Sequence, residues 1–158
     1  MANAKENIYT DEIDVTINVN EGLSVASPQF METLLGCPRN NYTSKCQPMT
    51  NKELYKTRIK LDDIGLFKVT GLTNAVDSLK NVMADVMKEY PVLYSQIGSA
   101  GMLCCRYMGK KKKVSNHSWG IAIDIKINGK LDPYNNGKTF YGLTLIAPIF
   151  NKHGWFWG

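Results

Sequence analysis

The chain has 158 residues, 44% of them hydrophobic. This is enough for one domain with a buried core, but too few for two domains that each have a core of their own. Its net charge of +5 is modest, and no basic stripe is interleaved with aromatic residues, which argues against a nucleic-acid-binding module. No apolar run approaches the roughly 18 residues of a membrane-spanning helix, and the polar start lacks a signal-peptide core. We therefore expect synthesis in the cytoplasm, with release by another route if the protein acts outside.

Short elements are predicted in the first third of the chain. The alternation in Val15–Val19 is typical of a short strand. Ser27 followed by Pro28 predicts the start of a helix that ends at Gly36. After a loop rich in proline, asparagine and serine, Thr50–Ile59 is predicted as a second helix.

The four cysteines leave their pairing open. Cys104 and Cys105 are neighbours, and the ring that they would close is strained. A bridge between Cys37 and Cys46 is compatible with the turn-like segment between them, but reduced thiols are the default for a cytosolic product. The spacings do not match a zinc cluster, so no cysteine is assigned to a metal.

The clearest helical pattern begins at Thr73, between Gly71 and Pro91. The predicted core-facing residues are Ala75, Leu79, Val82, Met83, Val86, Met87 and Tyr90. The pair Met83 and Met87 is compatible with a soft-metal or partner surface, but core packing is the favoured interpretation.

The remaining elements lie in the last 60 residues. Gly98–Arg106 is predicted as a buried strand. Gly120–Ile127 alternates strictly, with isoleucines on one face and Asp124 on the other. Asn128–Lys130 predicts a hairpin turn, and Leu143–Phe150 a last helix.

These elements predict a single α+β domain with a small antiparallel sheet and flanking helices. Residues 1–60 are predicted to be an irregular N-terminal portion that packs on a core formed by residues 61–158. No repeat, low-complexity segment or linker interrupts the chain.

The run Lys110–Lys113 carries much of the positive excess. A solvated loop is the favoured interpretation, and attraction to an anionic polymer is the alternative.

A histidine and an aspartate lie seven positions apart in the segment SNHSWGIAID, residues 115–124. Because the isoleucines face the core, Asp124 faces away from it, and Gly120 lets the chain turn so that His117 comes over the same face. A neutral imidazole and a carboxylate that converge in this way suit Zn²⁺. The alternative is a surface aspartate and a capping histidine, and the spacing alone does not separate the two.

The same ten residues resemble, position by position, the SxHxxGxAxD motif of the zinc D-alanyl-D-alanine carboxypeptidase family. This family includes D-Ala-D-Ala dipeptidases and phage L-alanyl-D-glutamate endolysins. GMLCCR is similar to the family's arginine-bearing strand, and GLTLIAPIFNKHGWFWG to the stretch before its last motif. The resemblance covers residues 65–158 and implies a hedgehog-like fold, with a zinc ion as cofactor.

The resemblance also implies roles for individual residues. His117 and Asp124 would be zinc ligands. Arg106 would stabilise the substrate carbonyl oxygen as negative charge develops on it. Ser115 would support the site.

In the family, an acidic general base and a third histidine ligand follow the aromatic stretch, whereas this sequence ends at Gly158. His153 is the only other histidine of the sequence, and the alternative is that it replaces this third ligand. The favoured interpretation is that His153 lies near the cleft without binding metal, and Trp155 and Trp157 are expected to pack near the cleft. With two ligands, we expect weak zinc binding and little activity unless further residues or a partner chain complete the site.

The resemblance implies a zinc metallopeptidase that acts on peptidoglycan stem peptides, as a carboxypeptidase or an endopeptidase. Action on the cell wall would follow lysis or specialised secretion. The alternative is a non-catalytic cell-wall-binding protein or a structural component of a phage-like particle.

Overall fold

The computed structural model describes residues 7–15, 18–133 and 136–158. The helices are α1 (Pro28–Leu35), α2 (Lys52–Arg58), α3 (Thr73–Glu89), α4 (Pro91–Tyr94) and α5 (Tyr141–Lys152). The strands are β1 (Glu12–Ile13), β2 (Ile59–Asp63), β3 (Lys68–Leu72), β4 (Ile97–Gly101), β5 (Asp124–Ile127) and β6 (Thr139–Phe140). Short 3₁₀ helices form at Ile8–Thr10 and Asn116–Trp119.

The predicted α+β class is confirmed. Strand β1 pairs antiparallel with β6, and β2 pairs antiparallel with β3, from Ile59 opposite Leu72 to Asp63 opposite Lys68. The third pair is β4 with β5. In the described part of the chain, the strands therefore form separate pairs where the sequence predicted one small sheet.

The chain divides into two compact units. The first takes its described residues from Met1–Ser24, Val82–Gly98 and Lys126–Gly158. The second consists of Val25–Asn81 and Ser99–Ile125, and it contains His117, Asp124 and Arg106. The division into residues 1–60 and 61–158 stays a prediction.

Both predicted N-terminal helices are confirmed, and side-chain caps explain where they begin. The Ser27 hydroxyl accepts a hydrogen bond from the backbone N–H of Phe30 at the start of α1. Gly36 ends this helix with φ of 84°, a conformation that favours glycine. Asn51 caps α2 through the backbone N–H of Leu54.

Helix α3 is confirmed, with one error in its predicted buried face. Its fully or almost fully buried residues are Val76, Leu79, Val82, Met83 and Val86. The burial of Met83 agrees with core packing. The predicted core position of Met87 is wrong, because its side chain is 52% exposed. Lys88 and Glu89 beside it are also exposed, so the last turn of the helix emerges from the core.

The two long strands predicted in the C-terminal half are shorter than expected. Strand β4 ends at Gly101, whose φ of 134° interrupts the extended chain, and Cys105 later forms an isolated bridge with Gln47. Strand β5 begins only at Asp124. The residues before it follow the left-handed turn at Gly120, where the backbone N–H of Ile121 bonds to the carbonyl of Asn116.

The isoleucine face is less buried than the alternation predicted. Ile127 is fully buried, whereas Ile121, Ile123 and Ile125 are half-buried. Asp124 is exposed, so it lies away from the core as expected.

The predicted turn after β5 is confirmed. Asn128 and Gly129 have φ of 51° and 72°, and Ile127 bridges to Lys130. The last helix is also confirmed and is longer at both ends than Leu143–Phe150.

The strand predicted at Val15–Val19 lies partly outside the described residues, which exclude Thr16 and Ile17. Its described residues are not in a strand, and β1 lies just before them.

The prediction of reduced thiols is wrong for two cysteines, because Cys46 and Cys104 form a disulfide with Cα atoms 5.1 Å apart. The alternative Cys37–Cys46 bridge is also wrong, since Cys37 is free and exposed. Two backbone hydrogen bonds between Gln47 and Cys105 explain the observed pairing, because they bring the preceding residues side by side. Local spacing does not reveal such a long-range pairing.

None of the described helices is long and apolar enough to cross a membrane.

A charge cluster on β2 and α3 gives a first prediction. Hydrogen bonds from Lys80 and Lys60 lower the pKa of Asp62 to about 2 from its usual 3.8. The depressed pKa means that the Asp62 carboxylate stabilises the fold above pH 3.8, and that this contribution is lost as pH falls through 2. We expect an NMR titration of the Asp62 carboxyl with a midpoint near 2.

The Lys80→Gln variant should raise this pKa more than Lys60→Gln does, because Lys80 is the stronger hydrogen-bond donor to Asp62. An Asp62 midpoint near 3.8 in the unsubstituted protein would contradict the prediction.

Candidate metal centre

His117 is held in a fixed orientation by its neighbours. It lies in the 3₁₀ helix Asn116–Trp119, which begins where the Ser115 hydroxyl accepts a hydrogen bond from the His117 backbone N–H. The ring is nearly buried, and its Nδ1 lies 2.7 Å from the carbonyl oxygen of Met102. A carbonyl oxygen only accepts hydrogen bonds, so Nδ1 carries the proton. In the neutral imidazole, which is the form that binds a metal ion, the other ring nitrogen, Nε2, then has a free lone pair.

This lone pair faces Asp124. The Nε2 atom of His117 lies 3.5 Å from Oδ2 of Asp124, a separation longer than that of an ordinary hydrogen bond. Two ligands of a tetrahedral zinc ion, each about 2.0–2.1 Å from it, lie roughly 3.3 Å apart. The donor pair, its separation and the carbonyl that orients the imidazole therefore fit zinc.

The electrostatics of the site favour an ionised Asp124. When both ring nitrogens of His117 carry a proton, the contact that Nε2–H makes with Asp124 and, more weakly, the positive charge of Arg106 hold the pKa of Asp124 below its usual value, while partial burial acts in the opposite direction. An ionised carboxylate is the form that binds a metal ion.

Arg106 and Ser115 adjoin the same site. The backbone N–H of Ser115 donates to the carbonyl oxygen of Arg106 at 2.9 Å, so the two residues lie side by side. The backbone N–H of Arg106 donates to the Ser118 hydroxyl at 3.2 Å. The Arg106 side chain is half-buried, and its guanidinium contacts only the carbonyl of Tyr107, at 3.5 Å, among its described hydrogen bonds.

Residues 108–158 match the family model described as D-alanyl-D-alanine carboxypeptidase. The match supports the resemblance to the zinc D-alanyl-D-alanine carboxypeptidase family that the motif around His117 indicated. Comparison with curated proteins and with solved structures gave no match.

The family match includes Ser115, His117 and Asp124, and it begins two residues after Arg106. Within it, the structure brings His117 and Asp124 together, and their role as zinc ligands stays a prediction. The matched segment is about a third of the chain.

The family's third histidine ligand has no counterpart among the described residues. No group of three histidine, cysteine, aspartate or glutamate side chains converges within ranges 7–15, 18–133 and 136–158. In the first unit, His153 follows α5, and its Nε2 lies 2.7 Å from Oδ2 of Asp85. Its imidazole lowers the pKa of Asp85, so an ion pair accounts for this histidine.

The predicted aromatic residues also have partners in the first unit. The rings of Phe150 and Trp155 meet edge to face, with centroids 6.0 Å apart. The backbone N–H of Trp157 donates to the side chain of Asn20, at 2.7 Å. Their packing near the cleft stays a prediction.

Sequence reasoning missed Met102, whose backbone carbonyl orients His117. Residue type carries no signal for this role, because every residue has such a carbonyl. The apolar strand prediction placed Met102 in the right region, but only the chain path shows which carbonyl reaches the ring.

Gly120 permits the close approach that positions the 3₁₀ helix of the family motif. Its carbonyl accepts a hydrogen bond from the backbone N–H of Leu72, and a Cβ on Gly120 would lie 2.7 Å from the Cα of Gly71. Gly109 also has a positive φ, but a Cβ there meets nothing within 4 Å. Alanine substitutions at the two positions can therefore distinguish the cost of backbone strain, which both share, from the cost of steric crowding, which only Gly120 has.

We expect Gly109→Ala to lower the free energy of unfolding by about 1–2 kcal/mol through backbone strain. Gly120→Ala should lower it by about 2 kcal/mol more, because the backbone must also move away from the added methyl. Urea unfolding of both variants measures the difference. Equal losses would show that the contact between Gly120 and Gly71 relaxes without cost.

Proposed function

We propose that the chain is a zinc metallopeptidase that hydrolyses peptide bonds in peptidoglycan stem peptides, as a carboxypeptidase or an endopeptidase. The family match supports a carboxypeptidase-like peptidase. The observation that carries the zinc proposal is the free Nε2 of His117, held by Met102 and 3.5 Å from Asp124.

His117 and Asp124 would hold the zinc ion, and Met102 keeps the imidazole in the tautomer that binds metal. When bound, zinc lowers the pKa of a coordinated water and polarises a carbonyl. Arg106 is the cation of the site, and we assign it the stabilisation of negative charge on the substrate carbonyl oxygen. Ser115 acts by fixing the backbone of His117.

An open groove of about 400 Å³ offers a place for an extended peptide. It is lined by residues 67–70 and 99–103 of the second unit, and it includes Met102. The residue that orients His117 therefore also lines the groove. We propose that the stem peptide lies in this groove with its scissile bond towards His117.

The disulfide supports action outside the cytoplasm. Disulfides persist in oxidising compartments and are rare in the cytosol. A bond between Cys46 and Cys104, two residues after the Met102 carbonyl that orients His117, thus agrees with action on the cell wall after lysis or specialised secretion.

One observation favours a second candidate, a non-catalytic protein that binds cell-wall peptides or forms part of a phage-like particle. In the described residues only two candidate metal ligands, His117 and Asp124, meet, whereas catalytic zinc sites usually have three protein ligands and a water. A protein with this site would bind zinc and peptide weakly without cleaving the bond. A partner chain that supplies a ligand would restore the first candidate.

The test uses purified stem peptides and intact peptidoglycan with added zinc. Mass spectrometry detects released D-alanine or a newly cleaved peptide. The 158-residue chain is compared with a form extended by any residues encoded downstream, each with and without a chelator. We expect little turnover by the shorter form and zinc-dependent cleavage by the longer one.

Full activity of the 158-residue form would show that the third ligand lies within it, and His153→Ala would be the first variant to test. Absence of cleavage by both forms, with binding to peptidoglycan retained, would support the second candidate.

A further inference from the structure

The four consecutive lysines form the tip of a short hairpin, residues 107–114, which we call the lysine hairpin. Tyr107 and Val114 bridge at its base, and the backbone N–H of Met108 donates to the carbonyl oxygen of Lys113 at 2.8 Å. Gly109 makes the turn with φ of 53°. Tyr107 also donates its backbone N–H to Thr43, so the base is anchored to a second loop.

Charge is concentrated at the tip. Lys110–Lys113 are four of the 19 lysine and arginine residues of the chain, and all four side chains are exposed. None of them forms an ion pair with any residue that the structure describes. Four like charges on neighbouring residues repel each other, and no carboxylate of the described fold relieves this repulsion.

The base of the lysine hairpin adjoins the candidate metal centre. Its base lies between Arg106 and Ser115, which are themselves joined by a backbone hydrogen bond of 2.9 Å. A polyanion bound at the tip would therefore keep the metal centre close to the same polymer.

We propose that the lysine hairpin is a docking arm for an anionic phosphodiester polymer of the bacterial cell wall. This inference relies on the proposed function for the place of action, but it concerns binding and not hydrolysis. Lysine ammonium groups are compact point charges that bind phosphates, whereas the planar guanidinium of arginine binds both carboxylates and phosphates through two parallel hydrogen bonds. The hairpin has no arginine and only Tyr107 as an aromatic residue, so it offers no stacking platform for nucleic-acid bases.

The experiment replaces all four lysines by glutamine, Lys110→Gln, Lys111→Gln, Lys112→Gln and Lys113→Gln. A matched control removes the same charge elsewhere, with Lys52→Gln, Lys56→Gln, Lys130→Gln and Lys138→Gln. These control lysines are also exposed and have no ion pair in the described structure. Circular dichroism checks that each variant is folded.

Binding is measured by co-sedimentation with purified cell walls that carry phosphodiester polymers, and with the same walls after hydrofluoric acid has removed those polymers. Soluble poly(glycerol phosphate) serves as a second probe. We expect the hairpin variant to bind intact walls at least roughly 10-fold more weakly than the unsubstituted chain at low salt. The slope of the logarithm of the binding constant against the logarithm of the salt concentration should also be smaller in magnitude by about 3, because each phosphate that a lysine neutralises contributes about 0.7–0.9 to it. The control variant should lose no more than about 3-fold, and stripped walls should bind the unsubstituted chain as weakly as intact walls bind the hairpin variant.

Three results would overturn the proposal. Equal losses in the two variants would assign the effect to net charge. Unchanged binding to stripped walls would assign it to stem-peptide carboxylates or glycan. Tighter binding to double-stranded DNA or to anionic lipid vesicles than to poly(glycerol phosphate), at equal phosphate concentration, would assign the hairpin to another partner. Because none of these experiments measures cleavage, the binding results can be interpreted even if the peptidase proposal fails.

Discussion

His117→Ala is expected to weaken zinc binding by at least roughly 100-fold, because the substitution removes one of the two proposed ligands, which face each other across the site. Loss of a residue that only orients a ligand already costs 10–100-fold in metal affinity, so loss of the ligand itself should cost no less. Competition with a chromophoric zinc chelator measures the affinity. Peptidase activity of any form that shows zinc-dependent cleavage should disappear with the metal.

The chain has one other histidine, and it provides the control. His153 pairs with Asp85 in the first unit, so His153→Ala should leave zinc affinity within about 3-fold of the original. Similar losses in both variants would make His153 a ligand. No loss in either would place the zinc site away from His117 and remove the main support for a metallopeptidase.

Cys46→Ser is expected to lower the free energy of unfolding by about 4 kcal/mol, since the disulfide closes a long loop in the unfolded chain. The two cysteines are 58 residues apart, and the entropy that a crosslink removes from the unfolded state grows with this separation. Urea unfolding without reductant measures the difference. Cys37→Ser is the control, because Cys37 is free and exposed and its replacement should change stability by less than about 0.5 kcal/mol.

Reductant should bring the unsubstituted chain to the stability of Cys46→Ser and leave that variant unchanged. If reductant does not change the free energy of unfolding of the unsubstituted chain, Cys46 and Cys104 are not bonded in solution. The same reduction should also weaken zinc binding, because the backbone N–H of Cys104 donates to the carbonyl oxygen of His117 at 2.9 Å.

The sequence by itself determined the elements whose causes are local. Helix α1 begins at a serine that caps it and ends at a glycine with positive φ, and helix α3 follows from apolar residues at helical spacing. These interactions join residues three to seven positions apart, so the linear pattern contains them. The motif around His117 is local in the same sense, and it was sufficient to indicate the family.

Only the tertiary structure decided how the site is built. The strands beside it are shorter than their apolar patterns predicted, because Gly101 and Gly120 turn the backbone where the composition still favours extension. The carbonyl that orients His117 belongs to Met102, 15 residues away, and the disulfide joins residues 58 apart. A backbone carbonyl has the same chemistry in every residue, and a long-range pairing depends on the path of the chain between its ends. Neither therefore leaves a signal in the residue types of one sequence.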